Sequence, residues 1–360
     1  MLNNLEDGGI DESVGIDESV GINESVDIDA LIDSFLLDAG ITHERRLIKR
    51  LLLTTTGLAV DETNRLNLKI ASAALSEMRE AYQLFEPYAG VPKVTVFGSA
   101  RTADHDPLWL LAHQVARGLA RDGWMVVTGA GPGIMEAATV GAGAERAIGV
   151  SIRLPFEEKP NAMIFNDDRL VAMKYFFTRK LMLVKESLGF ISLPGGFGTL
   201  DEVYELLTLQ QTGKMVPVPI VLLDKPGGSY WSRFKEFIVA ELEAQGYVTQ
   251  GDMDRVFITD SVEAAVTEVT NFWKNYASIR WFGDRLVVRV KKAPNDNQLL
   301  TLNQKFKHLV LRGEIERTEA FDQEIKEGDA LDLERITFIP DQRKIGDLHR
   351  IIRVLNKMFS

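Results

Sequence analysis

Residues 190–202 read FISLPGGFGTLDE. An apolar run short enough for a buried strand stops at Pro194, three glycines follow within four positions, and a helical pattern begins near Thr199. Working outward, the same device recurs twice. The apolar run 93–97 leads into GSAR at 98–101, and the run 125–128 leads into GAGPGIME at 129–136. Further apolar runs lie at 148–152 and 218–223, and helical patterns start near Pro107, Ile134, Tyr175, Thr199 and Tyr230. Strands apolar throughout and separated by amphipathic helices imply a parallel sheet covered on both faces, so residues 91–279 read as a doubly wound, Rossmann-like α/β domain. In such a sheet ligands sit beyond the carboxyl ends of the strands, which directs attention to the loops after each run.

The flanks are of a different kind. Residues 9–26 repeat a six-residue unit, GIDESV, GIDESV, GINESV. Three short rungs bury little, so residues 1–27 read as an acidic, solvated, disordered tail. Residues 28–90 read as a helical extension, with helices near 28–37, 43–53 and 64–84; in the last, Leu66, Ile70, Ala73, Ala74, Met78 and Ala81 recur at steps of three and four. Residues 280–360 read as a small α+β appendage, with strands at 285–290 and 335–339 and helices at 299–311 and 347–358.

The charge follows this division. The 360 residues carry a formal charge of −11, but residues 1–30 hold nine acidic and no basic side chains, residues 31–279 hold 25 basic and 30 acidic, and residues 280–360 hold 16 basic and 13 acidic. The acidity therefore belongs mainly to the tail, and the nearly neutral body speaks against nucleic-acid binding. No cysteine is present, which removes disulfides, thiol nucleophiles and iron–sulfur clusters, and the five histidines show no metal-ligand spacing. No metal site is expected. No apolar run approaches a membrane span and the N-terminus lacks the basic-then-apolar form of a signal, so the expected location is cytoplasmic, with no membrane partner.

The glycine loops suit an anion. Gly195, Gly196 and Gly198 let the backbone approach a ligand, and the helix start behind them points free N–H groups and a positive dipole end at it, as phosphate requires. Thr199 can cap that helix or donate its hydroxyl to the phosphate. Gly98 and Ser99 after the first run, and Gly129 and Gly131 after the second, bring two more small-residue loops to the same sheet edge, and together the three make a nucleotide-sized pocket. Two common nucleotide signatures are missing. Ile134 stands where a dinucleotide fingerprint has its third glycine, and Gly213-Lys214 is followed by Met215, so neither NAD binding nor P-loop phosphoryl transfer is supported.

In its motifs the chain resembles the LOG (Lonely Guy) family. These are GAGPGIME at 129–136, the Arg179-Lys180 pair and Pro-Gly-Gly-x-Gly-Thr-x-x-Glu at 194–202, in that order, and the resemblance covers roughly residues 91–275. Members of that family are cytokinin riboside 5′-monophosphate phosphoribohydrolases and related nucleotide nucleosidases, often labelled lysine decarboxylases. The sequence departs from plant-like members in its first loop, GSAR, and in Phe177-Thr178 before Arg179, positions that bear on base specificity. The resemblance implies hydrolysis of the N-glycosidic bond of a nucleoside 5′-monophosphate, without a cofactor, by a homodimer or higher homo-oligomer. No lysine lies in a recognisable pyridoxal phosphate context, which sets the decarboxylase label aside.

The resemblance makes Arg179 and Glu202 the catalytic pair. Glu202, one turn into the helix behind the phosphate loop, can face the ribose, stabilise its cation and orient water, while the planar fork of Arg179 suits phosphate or a base nitrogen. Glu205, at i+3 from Glu202, is the supporting carboxylate. Ser99 and Arg101 can reach phosphate or base, and Met135, Met173 and Gly131 are candidates for the base pocket. The competing reading is a carrier on the same scaffold that binds a nucleotide or molybdenum cofactor without cleaving it. Such a protein needs the phosphate loop but not the carboxylate.

Overall fold

The computed structural model describes residues 27–153, 168–249 and 251–359. The repeats of the acidic tail lie outside the described residues. The chain divides into one compact unit up to Ser72 and a second from Ala73 onward. In the first, α1 (Ile28–Asp38) and α2 (Arg45–Val60) are joined by charge, Lys49 Nζ lying 2.6 Å from both Asp29 and Asp33, and Asp27 caps α1. The next helix, α3 (Arg65–Phe85), continues into the second unit, where Ala81 and Phe85 enter the core.

The second unit is built on seven parallel strands. In chain order they and their helices are β1 (Lys93–Phe97), α4 (Pro107–Arg121), β2 (Met125–Thr128), α5 (Ile134–Ala142), β3 (Ala147–Ile152), β4 (Leu170–Met173), α6 (Phe176–Lys185), β5 (Phe190–Ser192), α7 (Phe197–Gln211), β6 (Ile220–Leu223), α8 (Tyr230–Phe237), β7 (Val256–Thr259) and α9 (Val262–Phe272). The spatial order is β4-β3-β2-β1-β5-β6-β7. Alternation along the strands sorts the core into two layers. Val94, Val96, Val126, Ile191 and Val221 pack with Leu111, Val115 and Leu119 of α4 and Ala265 and Val269 of α9. Phe97, Met125, Val127, Phe190 and Ile220 face the other way, onto Met182 of α6, Leu206 of α7 and Trp231 of α8. The chain builds outward from β1 through β4 and then returns to the opposite side of β1 to add β5. That reversal opens a crevice at the carboxyl ends of β1 and β5.

Beyond α9 follow β8 (Tyr276–Phe282), β9 (Arg285–Val290), α10 (Asp296–Phe306), β10 (Val310–Arg317), α11 (Asp322–Glu327), β11 (Glu334–Pro340) and α12 (Leu348–Lys357), with a four-stranded antiparallel sheet ordered β10-β11-β9-β8. One face packs Val288, Val290, Ile336 and Phe338 against Phe306, Ile351, Ile352 and Leu355. The expected helix over 299–311 ends earlier, at Phe306. Leu299, Leu302, Phe306 and Leu309 keep helical spacing, yet Leu309 joins this core from the turn that leads into β10. The strand β10 escapes sequence reading because most of it is exposed and two register shifts interrupt its pairing. Similarly β4 and β7 are four-residue edge strands with broken burial patterns. No helix among the described residues is long and apolar enough to cross a membrane.

Candidate active site

The crevice at the reversal of strand order is a cavity of about 700 Å³. The loops after β1, β2 and β5 line it, with Arg179 of α6 and Glu202 of α7 among its wall residues. Of the residues expected from sequence, Gly98, Ser99, Arg101, Met135, Arg179, Gly195, Gly196, Gly198, Thr199 and Glu202 all lie on this wall.

The loops lock one another in place. A side chain at Gly195 would meet Thr199 Oγ1 at 2.2 Å and the Ser99 amide nitrogen at 3.0 Å, so the β1 and β5 loops touch there. The Ile134 N–H at the start of α5 donates to Ser99 O at 3.1 Å, tying the β1 loop to the β2 loop. The hydroxyl of Ser99 accepts from the Arg101 N–H at 3.1 Å, which closes the turn on itself. In α7 the N-cap is Gly196 and no side chain caps the helix. The first-turn N–H groups of a fifteen-residue helix therefore meet the cavity with a positive dipole end, an arrangement fitted to phosphate. Thr199 is not the cap expected as one option: the helix begins two residues earlier, and its side chain sits buried in the first turn.

Arg179 is aimed by backbone carbonyls. Its Nε donates to Val150 O on β3 at 2.9 Å and its Nη2 to Gly129 O at 3.4 Å. A Cβ at position 129 would stand 1.9 Å from Nη2, so only glycine leaves room for the guanidinium. The helix bearing Arg179 is in turn held by Glu77 of α3, a buried carboxylate that accepts from the Lys174 N–H and the Thr178 hydroxyl, each at 2.7 Å. Nothing in the local sequence marks Glu77, since its partners lie about a hundred residues away.

Glu202 is 7% exposed, and its Oε2 is buried with no hydrogen-bond partner. Burial pushes its pKa up to about 7, against the pull of nearby Lys180 and Arg179. Lys180 is itself held by Asp201 at 2.7 Å and Glu205 at 2.6 Å. Burial alone would lower the Lys180 pKa, but these two carboxylates raise it, so the ammonium stays charged beside Glu202. Glu205 thus supports the site through Lys180. Asp201 also lines the cavity.

Two sequence expectations are corrected. Met173 is fully buried in the core beneath the sheet, where it can touch no ligand. Gly131 is absent from the cavity wall and instead borders the end of Met135, whose Cε would lie 2.6 Å from a Cβ there. Sequence reasoning also missed Phe176, Phe197 and Leu200, all on the wall, and Tyr230, whose hydroxyl donates to Gly195 O at 2.7 Å. Tyr230 follows the end of β6 at the same sheet edge, so extending the strand-end rule by one strand finds it.

A family model described as "Possible lysine decarboxylase" matches residues 133–269. The cytokinin riboside 5′-monophosphate phosphoribohydrolase of Mycobacterium marinum is 30% identical over 170 residues, covering 46% of this chain and 88% of that protein. The protein of the same name from Mycobacterium tuberculosis is also 30% identical, over 173 residues and the same shares of each chain. Among solved structures, the molybdenum cofactor binding protein of Rippkaea orientalis aligns over 50% of this chain and 96% of its own, at 23% identity and a TM-score of 0.36. With the glycine loops, Arg179 and Glu202 gathered at one crevice and relatives matched over most of their length, the chain belongs to the LOG family, the one whose model bears the lysine decarboxylase description.

Proposed function

We propose that the protein hydrolyses the N-glycosidic bond of a nucleoside 5′-monophosphate, a cytokinin riboside monophosphate or an AMP-like purine nucleotide, to free base and ribose 5-phosphate. The observation that carries this reading is Glu202: a buried carboxylate with an unpartnered oxygen and a pKa near 7, one turn behind a helix start suited to phosphate. A carrier would gain nothing from burying such a group. With the phosphate at the N-terminus of α7, the ribose falls beside Glu202. The carboxylate stabilises the cation that develops as the C1′–N bond breaks, and it takes a proton from the water that adds to C1′. The electrons of the broken bond pass to the base, which takes up one proton as it leaves. Arg179, tethered on Val150 O and Gly129 O, presents its charge to phosphate or base. The homo-oligomer expected for the family would cover the half-exposed Phe176 and the almost fully exposed Phe197 on the cavity wall.

The test is incubation of the purified protein with AMP, GMP, CMP, UMP, IMP and a cytokinin riboside monophosphate, with chromatography for free base. At least one should release base, and release from none would sink the hydrolase reading. Gly129→Ala should lower kcat/KM by about 10²-fold or more while circular dichroism and melting stay close to wild type, because the new methyl displaces the Arg179 guanidinium. Lys180→Met should move the acid limb of the kcat/KM profile to higher pH. Loss of the ammonium leaves Glu202 facing burial and the Asp201 and Glu205 charges with less compensation. Each unit of that shift costs about tenfold at pH values below the limb.

A further inference from the structure

Tyr230, the first residue of α8, reaches the phosphate loop from outside the active-site cavity. It lines a second cavity, of about 710 Å³, together with Pro194, Tyr204, Asp224 and Phe234, and it is absent from the wall of the first. Its hydroxyl donates to Gly195 O at 2.7 Å across 35 residues of sequence. The start of α8 is fixed for this contact. Asp224, buried just after β6, accepts from the Lys225 and Tyr230 N–H groups at 2.8 Å each and from the Trp231 N–H at 3.4 Å. A Cβ at Gly228 would stand 2.2 Å from the same carboxylate, so the turn before α8 closes around it. Burial raises the pKa of the Tyr230 phenol against the pull of its bond to Gly195, and the group stays a donor at neutral pH.

That bond fixes more than one oxygen. In a trans peptide the C=O and the following N–H point in opposite directions. With Gly195 O turned to Tyr230, on the side of the second cavity, the Gly196 N–H is turned to the side of the first, whose wall holds both glycines. Gly196 is exposed, and its N–H has no hydrogen-bond partner among the described residues. It precedes the free N–H groups in the first turn of α7 and adds one donor to them. The opposite orientation is within reach, because glycines flank this peptide on both sides. Gly196 has φ −87° and ψ −157°. Turning the peptide over would carry that φ to about +90°, a value open to glycine and strained for other residues. The phosphate would then face a carbonyl oxygen in place of an N–H.

We propose that Tyr230 is a positioning residue of the phosphate loop, its hydroxyl holding the Gly195–Gly196 peptide in the orientation that offers the Gly196 N–H to the substrate's phosphate. The proposal rests on the reading above in which that phosphate sits at the N-terminus of α7. Tyr230→Phe keeps the ring and its edge contact with Trp231, whose centroid lies 4.7 Å away, and removes only the donor. Gly195 O then loses its partner, and the peptide loses its preference for one orientation over the other. The hydroxyl lines neither the cavity that holds Glu202 nor the place of the reacting atoms, so its loss falls on phosphate affinity and KM, with little change in kcat.

The test is calorimetric titration of the full chain with ribose 5-phosphate, which carries the phosphate and has no N-glycosidic bond to cleave. Tyr230→Phe should weaken its binding by about tenfold or more and raise the KM of any monophosphate turned over by a similar factor, with kcat within about threefold of wild type. Gly196→Ala supplies a second arm. Alanine resists positive φ and so resists the flipped peptide, and a Cβ at Gly196 meets nothing within 4 Å. Whatever Gly196→Ala does alone, Tyr230→Phe should cost at least about threefold less affinity in that background than in wild type. Equal losses in the two backgrounds, binding indifferent to Tyr230→Phe, or no binding of ribose 5-phosphate by the wild type at millimolar concentration would each overturn the proposal. The expected binding pattern in a protein that releases base from no nucleotide would uphold it and count against the hydrolase reading alone.

Discussion

Glu202→Gln is expected to lower kcat by about 10³-fold or more and, in the same protein, to stabilise the fold by roughly 3 kcal/mol at pH 8. The loss follows from removing the carboxylate that faces the ribose. The gain follows from linkage. The carboxyl has an ordinary value of 4.5 in the unfolded chain and about 7 in the folded one, so between those values the folded protein holds a proton that the unfolded chain has released. Stability from this group is greatest below pH 4.5, declines as pH rises to about 7 and stays low above it. Glutamine is neutral throughout and does not suffer that decline. Urea unfolding at pH 5 and pH 8 reads both ends: variant and wild type should differ little at pH 5 and by the larger amount at pH 8. Equal stabilities at pH 8 would show that the native carboxylate is not strained by burial. A loss of turnover with intact nucleotide binding would separate the hydrolytic role from mere occupancy of the cavity.

The second large effect lies outside the active site. Glu324 of α11 is fully buried against the face of the antiparallel sheet opposite its apolar core, where it accepts from Arg289 at 2.6 Å and Arg335 at 3.2 Å. Burial alone would raise its pKa, but the Phe321 N–H and the two guanidinium groups hold it below the usual value. Glu324→Ala leaves Arg335 without its carboxylate and Arg289 with Asp329 alone, so it should destabilise the protein by about 3–5 kcal/mol, visible as a clear drop in melting temperature. Replacing Arg289, Glu324 and Arg335 together by apolar residues of similar volume should recover much of that loss, because the uncompensated charge goes with the carboxylate. A small effect of Glu324→Ala alone would mean that water reaches the cluster. As the folded pKa is depressed, the contribution of Glu324 is present above about pH 4.5 and lost as pH falls through the lower folded value.

The central strands and the phosphate loop were legible because their signals are local. Parallel strands buried on both faces are mostly apolar, as 93–97 and 125–128 are apart from Lys93, Thr95 and Thr128, and a strand that passes straight into a helix at a ligand needs glycine where the backbones crowd. The weak edge strands β4 and β7 and the bulged β10 carried no such pattern, since β4 and β7 are short and only partly buried and most of β10 is exposed. Site chemistry divided along the same line. Motif order placed Arg179 and Glu202 together, but local sequence offered Met173 and Met135 as equivalents, and only packing separates the buried one from the cavity wall.

The sequence by itself determined the strand–loop–helix units and the anion-binding glycines, because each depends on neighbours within a few residues, and the order of its motifs offered Arg179 and Glu202 as the candidate pair. The tertiary structure alone decided which loops meet. It set the reversal of strand order beside β1, the carbonyl tethers on Arg179, the Lys180 clamp beside Glu202 and the bond from Tyr230 to Gly195 O. The physical reason is range. Backbone conformation and burial periodicity are written in consecutive residues, whereas the desolvation and charge pairing that set the reactivity of a group come from residues that only the completed fold brings within a few ångströms.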